Sequence, residues 1–156
     1  MKLTAKTDLD APVEFMHAYL CDNATWERDA IRRGIEVERP ADMPLSGVGA
    51  GWRIRVPFRG SVRKVLLRVD EIVQDRTIAY SFEGQALVGT LLLEVKALSP
   101  RRSRLKLTVD AKPKTLAARL FLNTLRLARR KVEERFEKRV GKLGARVEER
   151  YAREKA

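Results

Sequence analysis

The chain has 156 residues and is 44% hydrophobic, enough for one domain with a real core and too apolar for global disorder. No apolar run approaches the roughly 20 residues of a membrane-spanning helix, MKLTAKTDLD lacks the apolar core of a secretory leader, and the single cysteine, Cys21, excludes an internal disulfide. These features give a cytoplasmic location as the expectation. The formal charge of +12 is unevenly spread: the residues from Lys114 onward hold 14 of the 33 basic side chains but 6 of the 21 acidic ones. Such an excess permits contact with an anionic surface without specifying one.

Lys2 to Leu9 alternate, with Leu3, Ala5, Thr7 and Leu9 on one face, which predicts a half-buried edge strand. The period changes at Asp10-Ala11-Pro12. Asp10 is the expected N-cap, Pro12 and Glu14 suit a first turn, and Val13, Met16, Ala18, Tyr19 and Leu20 form a short helix. Asn23 or Thr25 caps a second short helix around Trp26 to Arg33, stopped by Gly34. Ile35 to Glu38 is a short strand. The Gly- and Pro-rich stretch from Arg39 to Gly51 is an exposed loop.

From Trp52 the period is two. Trp52, Ile54, Val56 and Phe58 face one way, against Arg53, Arg55 and Arg59. After the turn at Arg59-Gly60-Ser61, Val65, Leu67 and Val69 continue that face. Ile78, Tyr80 and Phe82 form the next strand, then Leu87, Gly89, Leu91, Leu93 and Val95. Leu105, Leu107, Val109 and Ala111 complete the run. Five successive strands joined by short turns make an antiparallel meander with one apolar face, which a second layer has to cover.

That layer is expected from one long helix between Pro113 and about Val140. Leu116, Ala117, Leu120, Phe121, Thr124, Leu125, Ala128, Val132, Phe136 and Val140 recur in steps of three and four, and Leu120, Asn123 and Leu127 broaden the stripe. Pro113 suits the helix start. A helix unbroken from Lys114 to Lys155 would be about 63 Å long at 1.5 Å per residue. A domain of this size is only about 35–40 Å across. Gly141 and Gly144 each weaken a helix by about 1 kcal/mol, so the tail is expected to bend there or project. The domain assignment is therefore 1–140, with 141–156 a charged helical extension. Its thin seam of Val140, Leu143, Val147 and Tyr151 suits a partner helix or a second subunit as well as a solvated end.

The opening DLDAPVEFMHAYLCDNATWERDA resembles the start of START-like proteins of the SRPBCC superfamily, with Ala11, Pro12, Asp22 and Trp26 at the matching positions. GAGWRIRVPFRG is similar to a Gly-led strand of the same proteins. The resemblance covers about residues 1 to 140. It implies the α+β helix-grip fold, a curved antiparallel sheet wrapped around a long C-terminal helix, with two short helices after the first strand. It also implies a hydrophobic cavity between sheet and helix. The superfamily includes lipid and sterol carriers, quinone-binding proteins, polyketide cyclases and aromatases, and chaperone regulators.

The chain offers little catalytic chemistry by itself. His17, the only histidine, has no Ser, Cys or acid at a diagnostic spacing and reads as a partly exposed helix residue. It cannot build a histidine metal site alone, and no metal or cofactor is expected. Cys21 reads as a small apolar filler. Asn123 and Thr124 have two readings: polar handles inside a cavity, or side chains satisfied by their own helix. Tyr80 places its hydroxyl either in a pocket or at the sheet's rim. Gly47 to Gly51 lacks the strand and helix of a dinucleotide site. Arg126, Arg129, Arg130, Arg135 and Arg139 form a basic face partly neutralised by Glu133, Glu134 and Glu137. Without interleaved aromatic residues it argues against nucleic acid and leaves an anionic membrane as the second reading.

The expected function is binding or transport of a hydrophobic small molecule (a lipid, quinone or polyketide-like compound) without catalysis. The expected wall is Ile54, Val56, Phe58, Leu67, Tyr80, Phe82, Leu91, Leu93, Leu107, Leu120, Asn123, Thr124 and Leu127. The alternatives are a cyclase- or dehydratase-like enzyme using the same cavity, and an interaction module acting through the basic helix.

Overall fold

The alternating segments pair as their patterns require. The computed structural model describes residues 1–58 and 60–155, Phe58 by its backbone alone. The strands are β1 (Lys2–Leu9), β2 (Glu36–Glu38), β3 (Gly51–Phe58), β4 (Ser61–Val73), β5 (Thr77–Gly84), β6 (Leu87–Ser99) and β7 (Arg102–Pro113). They form one antiparallel sheet in the order β1-β7-β6-β5-β4-β3-β2. The expected meander is β3 to β7. The pairing of β1 with β7, from Lys2 opposite Asp110 to Leu9 opposite Ser103, joins the chain's first strand to its last.

The sheet curves, and two irregularities help it do so: a bulge between Val69 and Glu71 against β5, and another between Ala97 and Ser99 against β7. Gly89 shows how tightly the curved sheet is drawn. A Cβ there would lie 2.2 Å from the Asp110 carbonyl oxygen and 2.6 Å from Phe82 Cζ.

Helices α1 (Val13–Cys21) and α2 (Asn23–Arg32) follow β1 as expected, with different caps. Pro12 is the α1 N-cap and Asp10 instead pairs with Arg102 at 3.0 Å, across the β1–β7 end of the sheet. Asp22 caps α2 and accepts a 2.8 Å hydrogen bond from Thr25 Oγ1. Gly34 stops the helix at φ +81°, a conformation glycine adopts without the Cβ penalty. Trp26 of α2 meets the buried Trp52 edge to face, with centroids 4.8 Å apart. Glu27 accepts from the Trp52 indole N–H at 2.5 Å and from Arg39, whose guanidinium lies 5.0 Å from the Trp52 ring. This cluster ties α2 to β3.

The C-terminal region departs most from expectation. Pro113 ends β7 and starts no helix; Thr115 caps α3 (Leu116–Leu127) by accepting from the Ala118 amide. The break falls at Ala128 (φ −105°, ψ 26°), and α4 (Arg129–Lys155) runs on through Gly141 and Gly144. At 27 residues α4 spans about 40 Å, long enough to cross the domain. Residues 141–155 therefore form no separate extension. Val140, Gly144 and Val147 repeat at helical spacing and are buried, with Val147 0% exposed. The apolar seam that suits another chain is instead turned inward onto this chain's own sheet and α1, where Tyr151 meets Phe15 edge to face at 5.0 Å.

Gly144 makes that seating close, since a Cβ there would lie 2.8 Å from Thr7 Cγ2. Among the described residues no helix is long and apolar enough to cross a membrane. In denaturant titrations, Gly144→Val is expected to lower stability by about 1–3 kcal/mol, because the overpacked side chain lifts α4 off β1. Gly141 is the counterpart, because a Cβ there would meet nothing within 4 Å. Gly141→Ala is expected to raise stability by up to about 1 kcal/mol.

Candidate functional site

Because α4 lies over β1, at one edge of the sheet, and α2 is drawn toward β3, the concave face between them is incompletely filled. A cavity of about 250 Å³ remains there. Its floor is Leu67 of β4, Tyr80 of β5, Leu91 and Leu93 of β6 and Leu107 of β7. Tyr19 and Leu20 of α1 and Thr25, Trp26 and Asp29 of α2 form one side, and Leu143 and Arg146 of α4 the other. The size lies just below the usual range of ligand pockets, about 300–1,000 Å³.

Few polar groups reach this apolar wall. The Tyr80 side chain is buried, and burial pushes its hydroxyl well above the ordinary tyrosine range, with a smaller contribution from Cys21. It therefore stays protonated at neutral pH. Among the described residues that hydroxyl has no hydrogen-bond partner, and it is not sealed from the cavity. At the mouth, Asp29 Oδ2 accepts from Arg146 at 2.9 Å and lies 3.5 Å from Arg33. This pair bridges α2 and α4. Arg150 lies 5.4 Å from the Tyr19 ring, closing the neighbouring surface.

Five expected wall residues come together here: Leu67, Tyr80, Leu91, Leu93 and Leu107. Ile54, Val56 and Phe82 do not line the cavity; the Phe82 ring instead covers Gly89. The Phe58 side chain lies outside the described residues. The four expected from the helix are misplaced, because α3 does not cover the cavity. Leu120 is 58% and Leu127 91% exposed, and Asn123 and Thr124 are exposed too. Thr124 Oγ1 donates to its own helix at Leu120 O (3.0 Å), and Asn123 Oδ1 accepts from Arg126 (3.4 Å). That is the local satisfaction such residues commonly find.

Sequence reasoning misses the wall residues of α1, α2 and α4. The one signal available for them is the Leu143–Val147–Tyr151 seam, whose period does not say whether it faces this chain or another. His17 is also corrected: it is 2% exposed, with Nε2 3.3 Å from the Thr77 carbonyl and Nδ1 3.8 Å from Cys21 Sγ. With Nε2–H donating to that carbonyl, Nδ1 is left to accept from the Cys21 thiol, which burial holds above its ordinary pKa. The pair sits outside the cavity wall. Among the described residues no cluster of His, Cys, Asp and Glu is arranged to hold a metal ion.

Strand, two short helices, curved antiparallel sheet and a long C-terminal helix laid across it constitute the helix-grip fold of START-like proteins of the SRPBCC superfamily. By sequence alone no family model and no curated protein matches. Among solved structures the chain is similar to the Zhui aromatase/cyclase from Streptomyces sp. R1128, at TM-score 0.67 and 17% identity, over 96% of this chain and 94% of that one. It is similar to Ara h 8.0201 at TM-score 0.61 and 13% identity, over 94% and 97% of the two chains. A START superfamily protein from Mycobacterium smegmatis matches at TM-score 0.54 and 16% identity, over 88% and 97%. At such identities the likeness establishes the fold.

The state of Tyr80 has a measurable consequence. A tyrosine whose folded pKa is raised contributes stability that is complete below its unfolded pKa, about 10, and is lost as pH rises beyond it. Between pH 9 and 11 the unmodified protein is expected to lose stability that Tyr80→Phe retains. Denaturation midpoints measured across that interval should converge or cross.

Proposed function

We propose that this protein binds a hydrophobic small molecule in the cavity between the sheet, the two short helices and α4, and carries or senses it without chemical turnover. One observation supports the reading above the others. The apolar floor of Leu67, Leu91, Leu93 and Leu107 also carries Tyr80, whose side chain is buried but whose hydroxyl stays accessible and has no hydrogen-bond partner among the described residues. Apolar burial supplies the affinity, about 25 cal/mol per Å² before the costs of association, and the hydroxyl fixes the orientation of one polar group on the ligand.

The state of the ionisable groups on the wall supports a reading without turnover. Tyr80 is held protonated, and Asp29 and Arg146 are engaged with each other. His17, the residue best suited to proton transfer near pH 7, faces Thr77 and Cys21. The free Cys21 thiol suits a reducing cytoplasm as the working location.

Displacement of the neutral dye N-phenyl-1-naphthylamine tests the site. Leu91→Trp, which fills the cavity, is expected to weaken dye binding by about tenfold or more, with an unchanged far-ultraviolet circular dichroism spectrum. Leu120→Trp, on the exposed face of α3, should leave binding as it was. Equal binding by the unmodified protein and Leu91→Trp would remove the cavity as the site. Native mass spectrometry of freshly purified protein would show a co-purified ligand directly.

A further inference from the structure

The wall residue Arg146 belongs to two depressions. On its other side lies a groove lined by Arg33, the C-cap of α2, and by Arg135, Lys138, Arg139, Lys142 and Arg146 of α4, with a volume of about 380 Å³. Every lining residue is a cation. Each α4 member has another three or four residues away (Arg135 with Lys138 and Arg139; Lys142 with Lys138, Arg139 and Arg146), so they share one helix face, and like charges at that spacing repel.

The first turns of α4 manage the same problem differently: Arg129 pairs with Glu133 and Arg130 with Glu134. Along the groove, Arg135, Lys138, Arg139 and Lys142 have no ion-pair partner among the described residues. Among the described residues Asp29 is the carboxylate that forms ion pairs with groove cations, through Arg146 and Arg33. The groove thus keeps a large uncompensated positive charge beside an apolar cavity, with Arg146 at the junction. An anion placed there would relieve that repulsion.

We propose that the ligand of the cavity is an amphiphile bearing a phosphate group, its apolar part among Leu67, Leu91 and Leu107 and its phosphate in the basic groove. This rests on the cavity reading above and names the substrate class it lacks. The small cavity fits part of such a molecule, leaving the head outside where the cations are. A phosphate, with up to two negative charges and several acceptor oxygens, matches a cluster of guanidinium and ammonium groups better than a lone carboxylate does. Arg146 and Arg33 exchange Asp29 for the phosphate when the head arrives, which loosens the α2–α4 bridge at the cavity mouth.

The test uses decanol and decyl phosphate, both below their aggregation concentrations, as competitors of the neutral dye. Decyl phosphate is expected to displace the dye at about one-tenth of the decanol concentration or less. That advantage should shrink with added salt. Lys138→Gln/Lys142→Gln should abolish it, and the charge-matched control Lys96→Gln/Arg101→Gln on the β6–β7 hairpin should keep it. Inorganic pyrophosphate should weaken decyl phosphate and leave decanol unaffected.

Equal displacement by decanol and decyl phosphate overturns the phosphate proposal and leaves the cavity reading standing. Loss of the advantage in the control variant as well reduces it to the protein's net charge and overturns it. A preference seen only with vesicles containing phosphatidylglycerol assigns the groove to a bilayer surface and also overturns it. Failure of the dye and decanol to bind at all removes the cavity reading itself.

Discussion

The seating of α4 on β1 is the contact on which the remaining geometry depends. Val140, Gly144 and Val147 bring the helix axis close to the strand, and Gly144 permits the approach because it has no side chain to set against Thr7. A helix glycine costs about 1 kcal/mol in propensity, and this one is offset by burial of the residues around it. Once α4 is fixed at that edge of the sheet, Leu143 and Arg146 stand at the side of the concave face and leave its centre uncovered.

The other side of the cavity is fixed by a different kind of interaction. Trp52 is fully buried, and its indole N–H needs an acceptor; Glu27 supplies it and also binds Arg39. The edge-to-face contact of Trp26 with Trp52 then orients α2. Two anchored helices, one over β1 and one toward β3, span the curved sheet without meeting at its middle. The bridge between them is Asp29–Arg146, a partly exposed ion pair of the kind worth about 0–1 kcal/mol. The link at the mouth is thus weak and the anchors at the sides are strong.

Charge and apolar surface are arranged together around that mouth. The excess of basic residues is concentrated on α4, and its stretch from Arg135 to Arg146, which lines the basic groove, ends where the cavity opens. On the first turns of the same helix glutamates are interleaved and neutralise the arginines. The difference between the two stretches is a property of residue spacing, yet it acquires meaning only from the position of the cavity.

Much of this is legible in the residues. Period-two alternation in 52–58, 61–73 and 77–113 specifies the strands and their inward faces, because the pleat leaves no other way to bury one side. Five of the cavity residues follow from it. The wider helix stripe at Leu116–Leu127 misleads, since a 3.6-residue period reports that a face is apolar and not what covers it. Local backbone energetics place the helix break at the glycines, whereas tertiary contact with Thr7 keeps α4 intact there and the chain bends at Ala128. By itself the sequence determined the strands, the short helices and the basic C-terminal third, and its resemblance to START-like proteins implied the helix-grip class. Only the tertiary structure decided which stretch of helix grips the sheet, how α1 and α2 wall the cavity, and that a basic groove adjoins it. Those depend on contacts between residues far apart in the chain, such as Thr7 with Gly144 and Asp29 with Arg146, which no local period encodes.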